Sequence, residues 1–256
     1  MELVKTGIKG ADELLNGGIP QNKNLLVIGG PGTGKTIFAL QYIVKGATEY
    51  GEKGIFITTE QYPAELRKDA KSLGWDLKQL EEEGLIYVLN AVPIAATGGG
   101  EKGYVISEPH PFLGYLGFNT DDLLSLIFDV KRKVNATRVA IDSISQLLFF
   151  EPDSFKTRIN IIRFINSLKN QGMTVVTTAQ YYAGEPKYHE LLTFIADGVV
   201  VLHLLRQGDI KIRAFEVIKM RGVGHSLKSV LMEIKEDGIF VDSTKPVKLP
   251  GMLPFF

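Results

Sequence analysis

Eight residues near the amino end have the types and spacing of a phosphate-binding loop, or P-loop. Gly29-Gly30-Pro31-Gly32-Thr33-Gly34-Lys35-Thr36 follows the pattern G-x-x-x-x-G-K-[ST]. Glycines let main-chain N–H groups turn toward an anion, and the positive end of a following helix adds to the attraction. Lys35 suits the outer phosphates and the Thr36 hydroxyl suits Mg²⁺. The pattern predicts that ATP and Mg²⁺ bind here, on Gly30, Pro31, Gly32, Thr33, Gly34, Lys35, Thr36 and Ile37.

Two carboxylates and an amide follow predicted strands and could complete this chemistry. Val139-Ala140-Ile141-Asp142 is an apolar run ending in an acid, which predicts that Asp142 holds the Mg²⁺ shell, although a helix cap is the alternative. Glu60 ends a strand that we predict to lie beside the P-loop strand, so it is the candidate base for the attacking water, against a merely solvated carboxylate. Gln180 cannot act as a base, and we expect it to orient or sense the γ-phosphate.

Strand-like and helix-like patterns alternate along most of the chain, which predicts one α/β domain over residues 1–256 with a mainly parallel, twisted sheet and helices on both faces. We predict parallel strands at 25–28, 54–59, 85–89, 138–141, 173–178 and 198–204, and helices at 35–50, 63–73, 121–134 and 155–170. Strands at 210–220 and 227–234 follow one another through glycine turns, so the carboxyl part is predicted to be antiparallel. Residues 93–119 are rich in Gly and Pro and indicate a long loop, either functional or disordered.

Four cations alternate with apolar residues in the first antiparallel strand. Strict alternation puts Lys211, Arg213, Lys219 and Arg221 on one face. A solvated face is the ordinary explanation. The alternative is that these cations serve the nucleotide of another subunit, as an arginine finger does.

The composition limits the classes of function. Twenty-nine basic residues balance twenty-nine acidic ones, so no whole-molecule field favours nucleic acid or an anionic membrane. The absence of cysteine excludes disulfides, thiolate metal sites and a cysteine nucleophile, and fits the cytosol. No stretch has the pattern of a secretion signal or a membrane span, so we predict a cytoplasmic protein without a membrane partner.

These motifs together resemble the KaiC and RadA branch of the RecA-like ATPases, specifically the single-domain archaeal KaiC-like proteins. Thr6-Gly7-Ile8-Lys9-Gly10-Ala11-Asp12-Glu13-Leu14-Leu15-Asn16-Gly17-Gly18-Ile19-Pro20 is similar to the family's lead into the P-loop strand. Val217-Ile218-Lys219-Met220-Arg221-Gly222 resembles the K-x-R-G segment that reaches across a subunit boundary. The resemblance implies an oligomer, with a hexamer favoured, in which Lys219 and Arg221 act on the neighbour's γ-phosphate. It also implies that Arg213, His225 and Asp237 lie near the neighbour's base and ribose.

Departures from the family pattern qualify what the resemblance implies. The family has two adjacent glutamates where this chain has Glu60 and Gln61, which leaves Glu60 as the predicted catalytic carboxylate and does not favour fast turnover. The P-loop begins at residue 29, without the DNA-binding domain that precedes it in archaeal recombinases, and the clock protein's tandem duplication is missing. The resemblance places two channel-facing segments at 145–154 and 181–189.

Four functions follow from these features. The favoured one is an oligomeric, Mg²⁺-dependent ATPase whose turnover regulates a protein partner that the sequence does not identify. The second is a nucleic-acid-binding recombinase paralogue that uses Tyr181, Tyr182 and Lys187, which the balanced charge disfavours. The third is an ATP-gated scaffold with negligible turnover. The fourth, autophosphorylation, has no distinctive site.

Overall fold

Nine strands of the described residues form a central sheet. The computed structural model describes residues 2–94, 103–105, 120–145, 154–181 and 186–249. The strands are β1 Leu3–Val4, β2 Ile19–Pro20, β3 Asn24–Gly29, β4 Gly54–Thr58, β5 Ile86–Asn90, β6 Val92–Ile94, β7 Gly103–Val105, β8 Arg138–Asp142, β9 Thr174–Gln180, β10 Gly198–Gln207, β11 Ile210–Met220, β12 Ser229–Lys235 and β13 Gly238–Pro246. The helices are α1 Ala11–Leu14, α2 Lys35–Tyr50, α3 Pro63–Ser72, α4 Leu77–Glu82, α5 Thr120–Val134, α6 Ser154–Asn170 and α7 Pro186–Ile195.

The strand order of the central sheet is β13-β12-β11-β10-β3-β9-β8-β4-β5. The six strands from β10 to β5 pair in parallel, and β10 to β13 pair as antiparallel neighbours. The predicted fold class is thereby confirmed. One predicted neighbour is wrong, because β9 and β8 lie between the strand before Glu60 and the P-loop strand. Sequential strands joined by long crossovers need not be adjacent in such a sheet.

Apolar side chains alternate between the two faces of the sheet and bury both. On β3, Leu25 and Val27 join a core with Phe38 of α2, whereas Leu26 and Ile28 join a second core that includes Phe164 of α6. A continuous apolar run is expected of a central parallel strand covered on both faces, because residues of both parities are buried. β3 is therefore packed on both faces up to the loop that follows it.

A β-bulge interrupts the alternation of β11. Val200 pairs with Val217 but Val199 pairs with Lys219, so Ile218 is an extra residue in the ladder. Before the bulge, Phe215 and Val217 face the first core; after it, Met220 faces that core and Ile218 packs on the second. The prediction that the four cations share a face is therefore wrong. Lys211 and Arg213 are on the face of Phe215, and the bulge turns Lys219 and Arg221 to the other face.

The predicted loop at 93–119 lies largely outside the described residues. Within the part that is described, β6 and β7 pair as a short antiparallel ladder. The predicted channel-facing segments at 145–154 and 181–189, and the side chains of Tyr182 and Lys187, also lie outside it for the most part. In the stretches that are described, no helix combines the length and apolarity needed to span a bilayer.

Candidate nucleotide site

The P-loop lies at the carboxyl edge of the parallel strands, between β3 and α2. Gly32 and Gly34 have φ angles of 71° and 108°, in the left-handed region where glycine is favoured, and they turn the chain into the helix at Lys35. The Thr33 hydroxyl braces the loop by donating to the Gly30 carbonyl at 2.8 Å. The Lys35 ammonium lies over the same loop, 2.9 Å from that carbonyl oxygen. The predicted phosphate cradle and its cation are thus in one place.

Asp142 ends β8 directly beside the start of α2. Its Oδ2 accepts a hydrogen bond from the Thr36 hydroxyl at 2.7 Å, and its Oδ1 accepts one from the Thr178 hydroxyl at 2.5 Å. Burial raises the pKa of Asp142; the two hydroxyls and Lys35 oppose this increase, and Glu60 adds to it. The contact with Thr36 joins the two predicted metal-binding residues. Among the described residues, neither carboxylate oxygen accepts from the main-chain N–H groups that a helix cap would satisfy.

Burial and two nearby acids have opposite effects on the pKa of Lys35. Burial lowers the pKa of Lys35, while the charges of Asp142 and Glu60 raise it. The hydrogen bonds agree with this, because Asp142 bonds Thr36, the residue after Lys35, and Glu60 bonds Ser143, the residue after Asp142. A triphosphate in the loop would add negative charge next to Lys35 and favour its charged form.

Glu60 lies just beyond the end of β4, close to Ser143. The Ser143 hydroxyl donates to Glu60 Oε1 at 2.5 Å. Glu60 itself is exposed, as expected for a group that meets a water. Although β4 is not adjacent to β3, the contact with Ser143 places Glu60 beside Asp142, the residue that bonds Thr36. Its predicted role as the base for the attacking water stays a prediction.

Gln180 ends β9 opposite Gly29, the last residue of the P-loop strand. Its main-chain N–H donates to the Ser145 hydroxyl at 3.2 Å, and the next N–H, of Tyr181, donates to the Gly29 carbonyl at 3.1 Å. These contacts place Gln180 at the carboxyl edge where the sequence predicts it.

Arg213 reaches the tip of its own P-loop. Its Nε and Nη2 each donate to the Gly32 carbonyl at 3.2 Å. The resemblance assigns Arg213 to a neighbour's nucleotide, but here the residue belongs to the wall of the site on its own chain. Its position relative to another subunit stays a prediction.

His225 and Asp237 are apart from this group. His225 Nδ1 is 3.0 Å from the Ser226 carbonyl oxygen, in the segment after β11. Asp237 is in the turn between β12 and β13, where it lines a cavity of about 670 Å³ together with Gln41 and Lys45. Among the described residues, no hydrogen bond joins either side chain to the P-loop, so their predicted roles stay predictions.

Lys219 and Arg221 lie at the opposite edge of the sheet from their own P-loop. Lys219 pairs with Val199, which pairs with Leu26, and four residues of strand separate Leu26 from Gly30, or about 13 Å. The Lys219 ammonium donates to the carbonyls of Thr193 and Ala196 at 2.8 and 2.7 Å. Arg221 Nη2 donates to the Phe194 carbonyl at 3.1 Å. Both cations therefore cap the end of α7, away from the phosphates of their own chain.

Buried hydroxyls are the functional candidates that the sequence predictions missed. Thr178 holds Asp142, Ser143 holds Glu60, and both are buried. The signal for Thr178 is a polar residue near the end of an otherwise apolar strand. Ser143 has no comparable signal, because the chain fold alone brings it to Glu60.

Comparison with known proteins identifies the family. The KaiC ATPase family matches residues 4–245. The chain belongs to this family. A UPF0273 protein of Methanocaldococcus jannaschii is 34% identical over 97% of this chain and all of that protein. The circadian clock oscillator protein KaiC of Synechococcus elongatus is 32% identical over 92% of this chain, which spans 43% of that protein. The crystal structure of a KaiC-like protein from Pyrococcus horikoshii has 35% identity and a TM-score of 0.78, over 94% of this chain and 99% of that one. The RecA-like, ATP-binding character predicted from the motifs is therefore confirmed.

Proposed function

We propose that this chain is a Mg²⁺-dependent ATPase that works as an oligomer, with each site completed by a neighbouring copy. The observation that carries the proposal is the grouping of Lys35, Thr36, Asp142 and Glu60 at the carboxyl edge of the parallel strands, through the contacts of Lys35 with Gly30, of Thr36 with Asp142 and of Glu60 with Ser143. These residues supply a phosphate cation, two hard oxygen ligands and a carboxylate base. Family membership supports nucleotide binding, and the residue chemistry supports hydrolysis.

The residues fit a magnesium ion. The Asp142 carboxylate is buried next to the Thr36 hydroxyl, and Mg²⁺ prefers a few protein oxygens together with water and phosphate oxygens. When bound, the ion would neutralise charge on the β- and γ-phosphates. Thr36 and Asp142 would hold it, and Thr178 would keep the carboxylate oriented.

In the proposed reaction, the P-loop and Lys35 hold the triphosphate so that its γ-phosphorus faces Glu60. Glu60 accepts a proton from water, the water oxygen forms a bond to the γ-phosphorus, and the bond from that phosphorus to the β,γ-bridging oxygen breaks. ATP and water thus give ADP and phosphate. Gln180 is suited to orient the γ-phosphate, and Arg213 to steady the loop.

The placement of Lys219 and Arg221 supports the proposed assembly. They cannot reach the phosphates of their own chain from the opposite edge, but an edge-to-edge arrangement would bring them to a neighbour's. We favour a hexamer formed by a single domain per chain, with turnover coupled to a change in a protein partner. A closed ring satisfies every head-to-tail contact and leaves none open.

Hydrolysis by the purified chain tests this function. Glu60→Gln should bind ATP and Mg²⁺ like the wild type but hydrolyse ATP about 10²-fold more slowly, the scale of losing a positioned base. Lys35→Ala should instead lose most ATP affinity in calorimetry, since the triphosphate loses a charge-assisted contact. Glu65→Gln, an exposed carboxylate in the first turn of α3, is the matched control. A wild-type chain that binds ATP but does not hydrolyse it would instead favour an ATP-gated scaffold.

A further inference from the structure

The chain segments that follow β4 and β8 remain paired beyond the end of the sheet. The Thr59 N–H donates to the Asp142 carbonyl at 2.8 Å. The Thr59 hydroxyl then accepts from the Ser143 N–H at 2.7 Å and donates to the Ser143 carbonyl at 2.9 Å. The buried Thr59 hydroxyl therefore bonds both the N–H and the carbonyl of Ser143. These two hydrogen bonds fix the position of the Ser143 main chain.

Ser143 connects this fixed segment to Glu60. Ser143 is buried, while the glutamate is exposed, and the Ser143 Oγ–Glu60 Oε1 distance is 2.5 Å. An exposed glutamate has several staggered side-chain conformations of similar energy. Because the main chain of Ser143 is fixed, the hydrogen bond from its hydroxyl favours one of these Glu60 conformations. Within the described residues this hydrogen bond engages Oε1, which leaves Oε2 as the oxygen to meet water.

The position of the Glu60 carboxylate is expected to affect the rate of hydrolysis. A general base must lie within hydrogen-bond reach of the water that it deprotonates, and small misplacements of a reacting group are costly. From this geometry we propose that Ser143 is a positioning residue for ATP hydrolysis, fixing the Glu60 carboxylate toward the attacking water. The inference rests on the proposed function, and it adds a second layer of residues, Ser143 supported by Thr59, that acts through Glu60.

Two other roles for the contact between Ser143 and Glu60 predict different effects on turnover. If Ser143 only fills space, its hydroxyl has no effect on turnover once the fold is intact. If the hydrogen bond holds Glu60 away from the water, removing it speeds hydrolysis. A positioning role predicts slower hydrolysis that depends on Glu60 being present.

A double-mutant cycle separates these roles. Ser143→Ala should lower kcat by about 10- to 100-fold with KM and ATP affinity changed less than about twofold, because the contact orients a base and does not bind the nucleotide. In the Glu60→Gln background the same substitution should have almost no effect on kcat, since it acts through the carboxylate. Ser143→Cys keeps the size of the side chain but donates weakly, so its kcat should fall between those of the serine and alanine chains.

A control and the opposing outcomes complete the test. Thr177→Val removes another buried hydroxyl, one that bonds Asn24, and should cost thermal stability without lowering kcat. If Ser143→Ala does not fold, the comparison of wild type with Ser143→Cys decides the proposal alone. Equal or faster turnover after loss of the hydroxyl, or the same fold-loss with and without Glu60, overturns the positioning role while leaving the ATPase assignment intact. Full turnover by Glu60→Gln overturns the positioning role together with the assignment of Glu60 as the base, whereas a wild-type chain that does not hydrolyse ATP overturns the proposed ATPase function.

Discussion

The two ends of strand β11 perform different tasks with the same kind of residue. At the carboxyl edge, Arg213 bonds the Gly32 carbonyl of its own P-loop. At the other edge, Lys219 and Arg221 bond the last carbonyls of α7, about 13 Å along the sheet from that loop. β11 and the residue after it thus carry one cation that contacts their own P-loop and two cations, Lys219 and Arg221, that lie away from it.

The bulge at Ile218 also separates these cations onto different faces of the sheet. It places Lys219 and Arg221 on the face of α7, opposite the face of Arg213. In the single chain they interact with helix carbonyls, which is favourable near the negative end of a helix. Burial against α7 lowers the pKa of Lys219, and the nearby charge of Arg221 lowers it further, although Asp197 opposes both. In the proposed oligomer, Lys219 and Arg221 would exchange these helix carbonyls for the phosphates of a neighbouring chain.

The largest expected effect on turnover is at the far edge of the sheet, which is the edge at the amino ends of the parallel strands where Lys219 and Arg221 lie; the P-loop lies at the opposite, near edge. Lys219→Ala and Arg221→Ala should each bind ATP nearly normally in calorimetry but lose about 10³-fold or more in kcat, as happens when an arginine finger is removed. Lys211→Ala, an exposed cation on the other face of the strand, is the control and should hydrolyse ATP like the wild type. If either variant hydrolyses ATP like the wild type, the residue that it lacks has no role in hydrolysis and only caps the end of α7.

A smaller effect is expected at the near edge, where the metal is proposed to bind. Asp142→Asn keeps the shape of the side chain but removes the charge, so the Mg²⁺ concentration for half-maximal turnover should rise about 10- to 100-fold. Titration of activity with Mg²⁺ at saturating ATP measures this shift. Asp76→Asn, which changes the N-cap of α4, is the control for a general loss of helix stability. An unaltered Mg²⁺ titration would contradict the metal role of Asp142.

The motifs in the sequence predict local features well and long-range geometry poorly. The P-loop, Asp142 and Gln180 are where the sequence places them, because each depends on a short pattern at a strand end. The side-by-side order of strands depends on crossovers, so the distance of Glu60 from the P-loop strand is not predicted. Alternation assumes an unbroken ladder, and one inserted residue, Ile218, reverses the faces of Lys219 and Arg221. The contact of Ser143 with Glu60 joins two loops and leaves no local pattern.

The smallest effect concerns stability at the far edge and depends on pH. Burial alone would raise the pKa of Asp197, but hydrogen bonds from Lys169 and the Asn24 N–H, with the charge of Lys23, lower it. A carboxyl with a lowered pKa stabilises the fold above its usual value of 3.8, and this contribution is lost as the pH falls through the folded value.

Asp197→Asn should therefore lower the free energy of unfolding by about 2 kcal/mol at pH 7. The difference from wild type should shrink in urea denaturation as the pH falls below 3.8. A difference that is the same at pH 7 and pH 3 would show that the charge of Asp197 does not carry the effect.

Complementation between two inactive chains tests the central claim most directly. Lys35→Ala lacks the phosphate cation of the near edge, and Arg221→Ala lacks a cation of the far edge. When the two are mixed under conditions where mixed oligomers are shown to form, some boundaries pair an intact P-loop with an intact Arg221. Turnover should then return to a substantial part of the wild-type rate, because a closed assembly brings the two edges together. A mixture that forms mixed oligomers and stays inactive would contradict completion of the site by a neighbouring chain.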